Sequence, residues 1–392
     1  MNICMLIDRY KPIFSGRAIF LEILCKEFKK ENINTFIITC NYDNSSSCDV
    51  IDGIPIYRFK SNKRKYFGEL LFGLNFFLLL LKMRNNFDII HSNSLAKGYI
   101  SSLLFCKLFK KKFIFQSACY GSDDMVTLKK KGRRGRWRYI LLSLIDGYIA
   151  ISPIMVKTYN DCKFDTKKVA LIPNGKPMDE FYPEEDKRYL REKLGLPINK
   201  KILCFMGSII RRKGVDILIE AFKIINKEFQ NSFLLLVGPN KFEILEKENN
   251  LFVGEIINKI SKYSLENDII FTGESKEVSN YLRASDIFVF PSRQEGCPNV
   301  VIEAMACGLP CIISEMPGIS DFLMRDKEEG IIIPQDNPER LAEEILKLLN
   351  DPLKANEIGK KAREKALLDF SLEKVSKQYI DFYRNITKNN YL

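Results

Sequence analysis

Short apolar runs alternate with longer helical patterns along almost the whole chain. In the first half the runs are Ile3–Ile7, Thr35–Thr39, Ile54–Tyr57, Ile89–His91, Phe113–Phe115, Gly147–Ile151 and Val169–Ile172. Segments of helix length, such as Ala18–Lys30 and Leu95–Phe109, lie between them. This alternation predicts parallel sheets with crossover helices. It breaks around Gly195-Leu196-Pro197, after the charged stretch Glu184–Lys193, and then starts again. Lys201–Met206, Phe233–Val237, Ile269–Phe271, Ile287–Phe290, Pro310–Ile313 and Gly330–Ile333 read as a second set of strands, with Val215–Lys227 as their first helix. From Pro338 to Tyr391 the chain is nearly all helical, with starts at Pro352 and Ser371. The expected fold class is α/β, with two doubly wound parallel-sheet domains over 1–185 and 195–371.

One run is longer. Leu70–Leu81 reads LLFGLNFFLLLL between Lys63-Arg64-Lys65 and Lys82. Twelve helical residues span about 18 Å, against about 30 Å for a bilayer core. A buried helix is the expectation, and a shallow membrane contact the alternative. The start, Met1 to Asp8, is too short in its apolar part for a signal-peptide core.

The chain has 392 residues, enough for two cores, and its 46% apolar and 28% charged residues exclude wholesale disorder and fibrous repeats. A net charge of +12 is unevenly spread: residues 1–200 carry 35 Lys/Arg against 20 Asp/Glu, and residues 201–392 carry 26 against 29. The single histidine, His91, removes His-pair acid–base chemistry and most zinc sites. Eleven cysteines with no C-x-x-C pair, mostly inside apolar runs, read as free thiols in a reducing cytosol.

In open parallel sheets, ligands bind where strands end and helices begin. After Ile287–Phe290 comes Pro291-Ser292-Arg293-Gln294-Glu295-Gly296-Cys297-Pro298-Asn299, then the helix Val300–Cys307. That helix is apolar all round except for Glu303. A carboxylate there needs a specific partner: it caps a nearby loop or pairs with an Arg, or it accepts from ligand hydroxyls such as those of a ribose. After Lys201–Met206, the turn Gly207-Ser208-Ile209-Ile210-Arg211-Arg212-Lys213-Gly214 puts three cations at a helix start. They oppose the helix dipole unless an anion such as a diphosphate binds; a solvated basic turn is the alternative. Gly16, ahead of the first helix, allows close backbone approach to a phosphate or sugar. No Asp-x-Asp triplet occurs, so no metal is expected at a diphosphate.

These segments resemble glycosyltransferase family 4, the retaining nucleotide-sugar glycosyltransferases of GT-B fold. The likeness lies in Gly207–Gly214 with Lys213, Phe271-Thr272-Gly273, Ala284–Ser292, Glu295-Gly296 and Glu303–Pro310. More loosely, it lies in Ile3–Ile7, Gly16, Asp88–His91 and Ile172-Pro173-Asn174-Gly175. The resemblance implies two Rossmann-like domains facing across a cleft, the C-terminal one holding the donor and the segment 372–392 crossing back to the first. It implies Lys213 on the diphosphate, Glu303 on the ribose, Glu295 beside the donor sugar and Gly16 at the phosphates. Ser208, Gly273, Gly296, Pro298, Asn299 and Val300 complete the donor side. Ser208 stands where the family often has Arg, and Arg212 is expected to take that role. The family's His after Phe113–Phe115 is missing, leaving Gln116, Ser117 or Asp124 for acceptor-side contacts; His91 ends a strand and either lines the cleft or makes a structural hydrogen bond. Retention needs no protein base if the leaving diphosphate takes the acceptor proton on the same face.

The resemblance thus implies a hexosyltransferase moving a sugar, with UDP-sugar the expected donor, to a glycan or lipid-linked glycan in bacterial surface polysaccharide synthesis. It implies no cofactor and no metal. A nucleotide-sugar epimerase and a non-catalytic assembly subunit are the alternatives. The basic clusters Lys60–Lys65, Lys110–Lys112 and Lys129–Arg138, the last with the single Trp137, are solvated loops or a site for anionic lipid. No nucleic-acid-binding module is readable. The expected location is cytoplasmic, at most peripheral on the inner membrane face.

Overall fold

The computed structural model describes residues 1–12, 16–41, 46–60, 67–241 and 247–388. Two compact units result, one of Met1–Gly175 with Leu372–Leu392, the other of Lys176–Ser371. The chain crosses at Gly175–Lys176, ahead of the charged stretch that marked the expected boundary at 185. Backbone pairing explains the position: the Lys176 amide donates to the Phe370 carbonyl at 2.9 Å, and Lys176 bridges to Ser371.

The first unit contains β1 (Asn2–Leu6), β2 (Asn34–Asn41), β3 (Cys48–Ile51), β4 (Ile54–Lys60), β5 (Ile89–Asn93), β6 (Lys112–Gln116), β7 (Gly147–Ala150) and β8 (Val169–Leu171). They form one sheet in the order β3-β4-β2-β1-β5-β6-β7-β8, parallel except for β3. The second unit contains β9 (Lys201–Met206), β10 (Ser232–Val237), β11 (Ile269–Gly273), β12 (Ile287–Phe290), β13 (Cys311–Ser314) and β14 (Ile331–Ile333). Their order, β11-β10-β9-β12-β13-β14, is the doubly wound arrangement with its switch point between β9 and β12. The central strands are apolar on both faces because helices cover both, as β9 (KILCFM) illustrates.

Strand β3 escapes the periodicity because CDVI lies exposed on the sheet edge. Its signal is Asp52-Gly53, both at positive φ (54° and 76°), closing a hairpin in which Ile51 pairs with Ile54.

The last helix, Leu372–Lys388, belongs to the first unit. Val375, Tyr379, Ile380 and Tyr383 enter the same apolar core as the helix Gly16–Lys30, with Phe28 edge-on to Tyr383 at 5.8 Å. The apolar run of the sequence becomes the helix Phe67–Lys82, which is buried on one face only. Phe76 and Leu80 are in the core, while Leu74 and Leu78 face solvent. No helix among the described residues is long and apolar enough to cross a membrane. All eleven cysteines are free.

Candidate active site

The switch point of the second sheet carries the most concentrated polar arrangement of that unit. Strand β9 ends in Gly207–Gly214 and β12 in Pro291–Pro298, and backbone contacts lock these two loops together. Gly214 has φ 70°, and a Cβ there would meet the Pro291 carbonyl oxygen at 1.9 Å, so only glycine lets the second loop lie on the first. The Arg293 amide donates to the Arg212 carbonyl at 2.9 Å. Arg293 also grips Asp216, on the helix Val215–Glu228, through two bonds of 3.0 and 2.9 Å, and the carboxylate pushes the guanidinium pKa further up.

Three donors converge on one oxygen within this frame. Glu295 Oε1 accepts from Lys213 Nζ at 2.6 Å, Ser292 Oγ at 2.8 Å and Arg212 Nη1 at 3.0 Å. Glu295 is buried, and Lys213 Nζ also sits 4.8 Å from the centre of the Phe290 ring. Two cations against one carboxylate leave a local positive excess. Beside it the helix Asn299–Ala306 begins, and Pro298 at its cap offers no side-chain acceptor to the first turn. Excess charge and a helix N-terminus together suit a phosphate-type anion.

Glu303, in the same helix, is buried and paired with Lys176 Nζ at 2.5 Å. Its protein partner is thus a lysine and not the expected arginine, and Oε1 is the oxygen engaged. Gly207 and Gly273 end β9 and β11, where Gly207 N–H donates to Val237 O and Gly238 N–H to Gly273 O. Ser208, Gly296 and Val300 lie on the loops and helix start already described. The structure therefore brings Arg212 and Lys213 onto Glu295, and Gly296, Pro298 and Asn299 follow it along the loop into the helix. Sequence reasoning missed Ser292, Arg293, Asp216 and Lys176, residues that hold the cluster in place. Lys176 follows Asn174-Gly175 directly, and a charge at that joint was the available signal.

The first-unit candidates fare differently. Gly16 opens the helix Gly16–Lys30, but residues 13–15 before it lie outside the described residues. His91 is 0% exposed, and its Nδ1 lies 2.7 Å from Tyr383 Oη. Burial lowers its pKa to about 3. Gln116 is buried and accepts from Tyr379 Oη at 3.1 Å, and Ser117 bonds Tyr159. Asp124 caps the helix Met125–Lys130 through the Thr127 amide at 3.0 Å and takes Gly121 N–H at 2.6 Å. These bonds are internal to the first unit: His91 and Gln116 pair with the last helix, and the Asp124 carboxylate accepts from its own loop. Burial likewise pushes the Asp123 carboxyl up, against the Cys119 and Ala118 N–H groups that hold it.

Among the described residues, no three His, Cys, Asp or Glu side chains gather as a metal site. The cluster Lys60–Lys65 falls, beyond its first residue, outside the described residues.

Two family models match the chain: "Glycosyltransferase Family 4" over residues 14–180 and "Glycosyl transferases group 1" over 186–365. Over 330 residues the chain is 27% identical to the Escherichia coli UDP-Gal:alpha-D-GlcNAc-diphosphoundecaprenol alpha-1,3-galactosyltransferase, a match covering 79% of each. It is 29% identical over 218 residues to the Staphylococcus aureus capsular polysaccharide biosynthesis glycosyltransferase CapM, covering 55% of this chain and 54% of that one. Among solved structures, Anabaena Alr3699/HepE in complex with UDP and glucose superposes with a TM-score of 0.80 at 19% identity, over 98% of this chain and 100% of that one.

Proposed function

The chain belongs to glycosyltransferase family 4 and has the GT-B fold, and from that premise we propose that it is a retaining, metal-independent hexosyltransferase using a UDP-sugar. Its acceptor is a glycan or lipid-linked glycan of bacterial surface polysaccharide synthesis. The observation that carries this reading is the convergence of Lys213, Arg212 and Ser292 on Glu295 at the switch point, beside the N-terminus of Asn299–Ala306. The relative from Escherichia coli, named for UDP-Gal and a diphosphoundecaprenol acceptor, supports the donor class and the lipid-linked acceptor.

In this reading the bond from the anomeric carbon to the diphosphate breaks, and an acceptor oxygen forms the new bond on the same face. The leaving diphosphate takes the acceptor proton. Lys213, Arg212 and the helix N-terminus stabilise the charge that builds on the diphosphate. Glu295 holds both cations in place and lies beside the sugar. Glu303 accepts ribose hydroxyls.

The test is transfer from labelled UDP-sugars to lipid-linked acceptors, with the product anomer read by NMR and EDTA added in parallel. The expected result is a product of retained configuration, unchanged by EDTA. Inversion would overturn retention, and loss with EDTA restored by magnesium or manganese would overturn metal independence. Release of a new free nucleotide sugar without acceptor would identify an epimerase.

A further inference from the structure

One helical layer of the first unit presents apolar stripes to solvent. On Phe67–Lys82, Leu74 and Leu78 are one turn apart and exposed. On Tyr99–Leu108, Ile100, Leu104 and Leu108 repeat at every fourth position, and Leu108 is 68% exposed. On Gly132–Leu142, Trp137 is 67% exposed and Ile140 follows three residues later on the same face. Phe77 against Phe105 (5.4 Å) joins the first two helices, and Lys107 with Asp146 (3.1 Å) ties the second to the turn that follows the third and leads into β7. Isolated exposed apolar residues are ordinary, but stripes at helical spacing on adjoining helices are not.

The charge around them is mostly positive. No acidic residue occurs between Asp88 and Asp123 or between Asp124 and Asp146. Exposed Lys82, Lys110, Arg133, Arg136 and Arg138 flank the stripes. Apolar stripes bordered by cations, with an exposed Trp, fit the interface of an anionic bilayer and not a neutral protein groove. We propose that this layer is a membrane-docking surface, seated on anionic lipid through Leu74, Leu78, Leu104, Leu108 and Trp137. It deepens the lipid-linked acceptor reading by saying which face meets the membrane.

The test uses the full chain with vesicles of phosphatidylcholine alone or with 30% phosphatidylglycerol (about one anionic lipid in three, enough for a surface potential). Binding to the anionic vesicles at low salt, weakened at high salt, is expected. Leu78→Glu with Leu104→Glu should cut that binding at least tenfold while circular dichroism, melting temperature and UDP binding stay as in wild type. Wild-type binding unaffected by the pair would overturn this surface, and no binding by wild type would overturn membrane docking altogether. A wild-type dimer that the pair dissociates would assign the face to a second copy instead. UDP binding is read without lipid, so failure here leaves the transferase reading standing.

A separate observation concerns Lys176. It is the first residue of the second unit, 2% exposed, held through its backbone to Phe370 and Ser371, and its Nζ takes Oε1 of Glu303. A buried lysine on a buried carboxylate fixes which oxygen stays open, and losing either partner strands the other. We infer that Lys176 is a positioning residue that presents Oε2 of Glu303 to the ribose, a role that rests on the donor reading above. The experiment measures affinity for UDP and for its 2′- and 3′-deoxy analogues. Wild type should prefer UDP at least tenfold. Lys176→Met should bring that ratio near one with little change for the deoxy analogues, and Lys176→Arg should restore it. The neutral pair Lys176→Met with Glu303→Gln keeps the test open if the single variant folds poorly, and it should bind like Glu303→Gln alone. A Lys176→Met protein that keeps the ratio, or loses affinity for all three nucleotides alike, overturns the inference. A wild type blind to the ribose hydroxyls overturns the role of Glu303 as well.

Discussion

The two sheets share the doubly wound order yet spend their polar residues in opposite ways. At the switch point of the second, polar side chains stand on loops beyond the strand ends and gather into one charged cluster around Glu295. In the first, the polar residues of β5 and β6 lie within the strands and bond inward, His91 to Tyr383 and Gln116 to Tyr379. Its charge is displaced to the outer helices. Topology offers a crevice in both units, and the position of a polar residue relative to the strand end decides whether it reaches that crevice.

The largest break in this contrast is expected from Glu295→Ala. It releases Lys213 and Arg212 from their fixed positions, and sugar transfer should fall about 10²–10³-fold, read as kcat with the fold intact by circular dichroism. Glu303→Ala removes a charged acceptor of hydrogen bonds from the same helix. Donor affinity should weaken by about 1.5–3 kcal/mol, roughly ten- to a hundredfold, with a smaller effect on kcat. Gly214→Ala tests the frame beneath both. With φ at 70° and the Pro291 carbonyl at 1.9 Å from the new Cβ, the loops must separate, at a cost of about 1–3 kcal/mol in thermal or urea unfolding.

The last break lies in the first unit. His91 is held neutral, its folded pKa near 3 against an ordinary value near 6.5, so between those pH values the unfolded chain binds a proton that the folded one does not. Stability should therefore rise with pH across that window by up to about 1.4 kcal/mol per pH unit, and be lost as pH falls. His91→Gln should flatten this part of the profile without altering donor affinity at pH 7.5. An unchanged slope would place the titration elsewhere.

Most of the strands were legible because buried parallel strands are short continuous apolar runs, and those of the second unit stand within a residue or two of their expected bounds. Edge strand β3 was not, since exposure removes the apolar signal and leaves Asp52-Gly53 to mark it. In the site, Lys213, Arg212, Glu295 and Glu303 stand out because charge is costly next to apolar helices. Their supports do not. Ser292 and Arg293 read as ordinary loop residues until Gly214 lets the loops touch, and Lys176 reaches Glu303 across 127 positions of sequence. His91 and Gln116 were the least legible, because a polar residue ending an apolar run reads alike whether it faces a crevice or the last helix.

The central claim is that the second sheet's switch point binds the nucleotide diphosphate. Calorimetric titration of UDP and UDP-sugars into wild type and Glu303→Ala tests it most directly. The account predicts saturable binding to wild type and at least tenfold weaker binding to the variant. Equal affinities in the two proteins, or no binding of any nucleotide diphosphate to wild type, would contradict it.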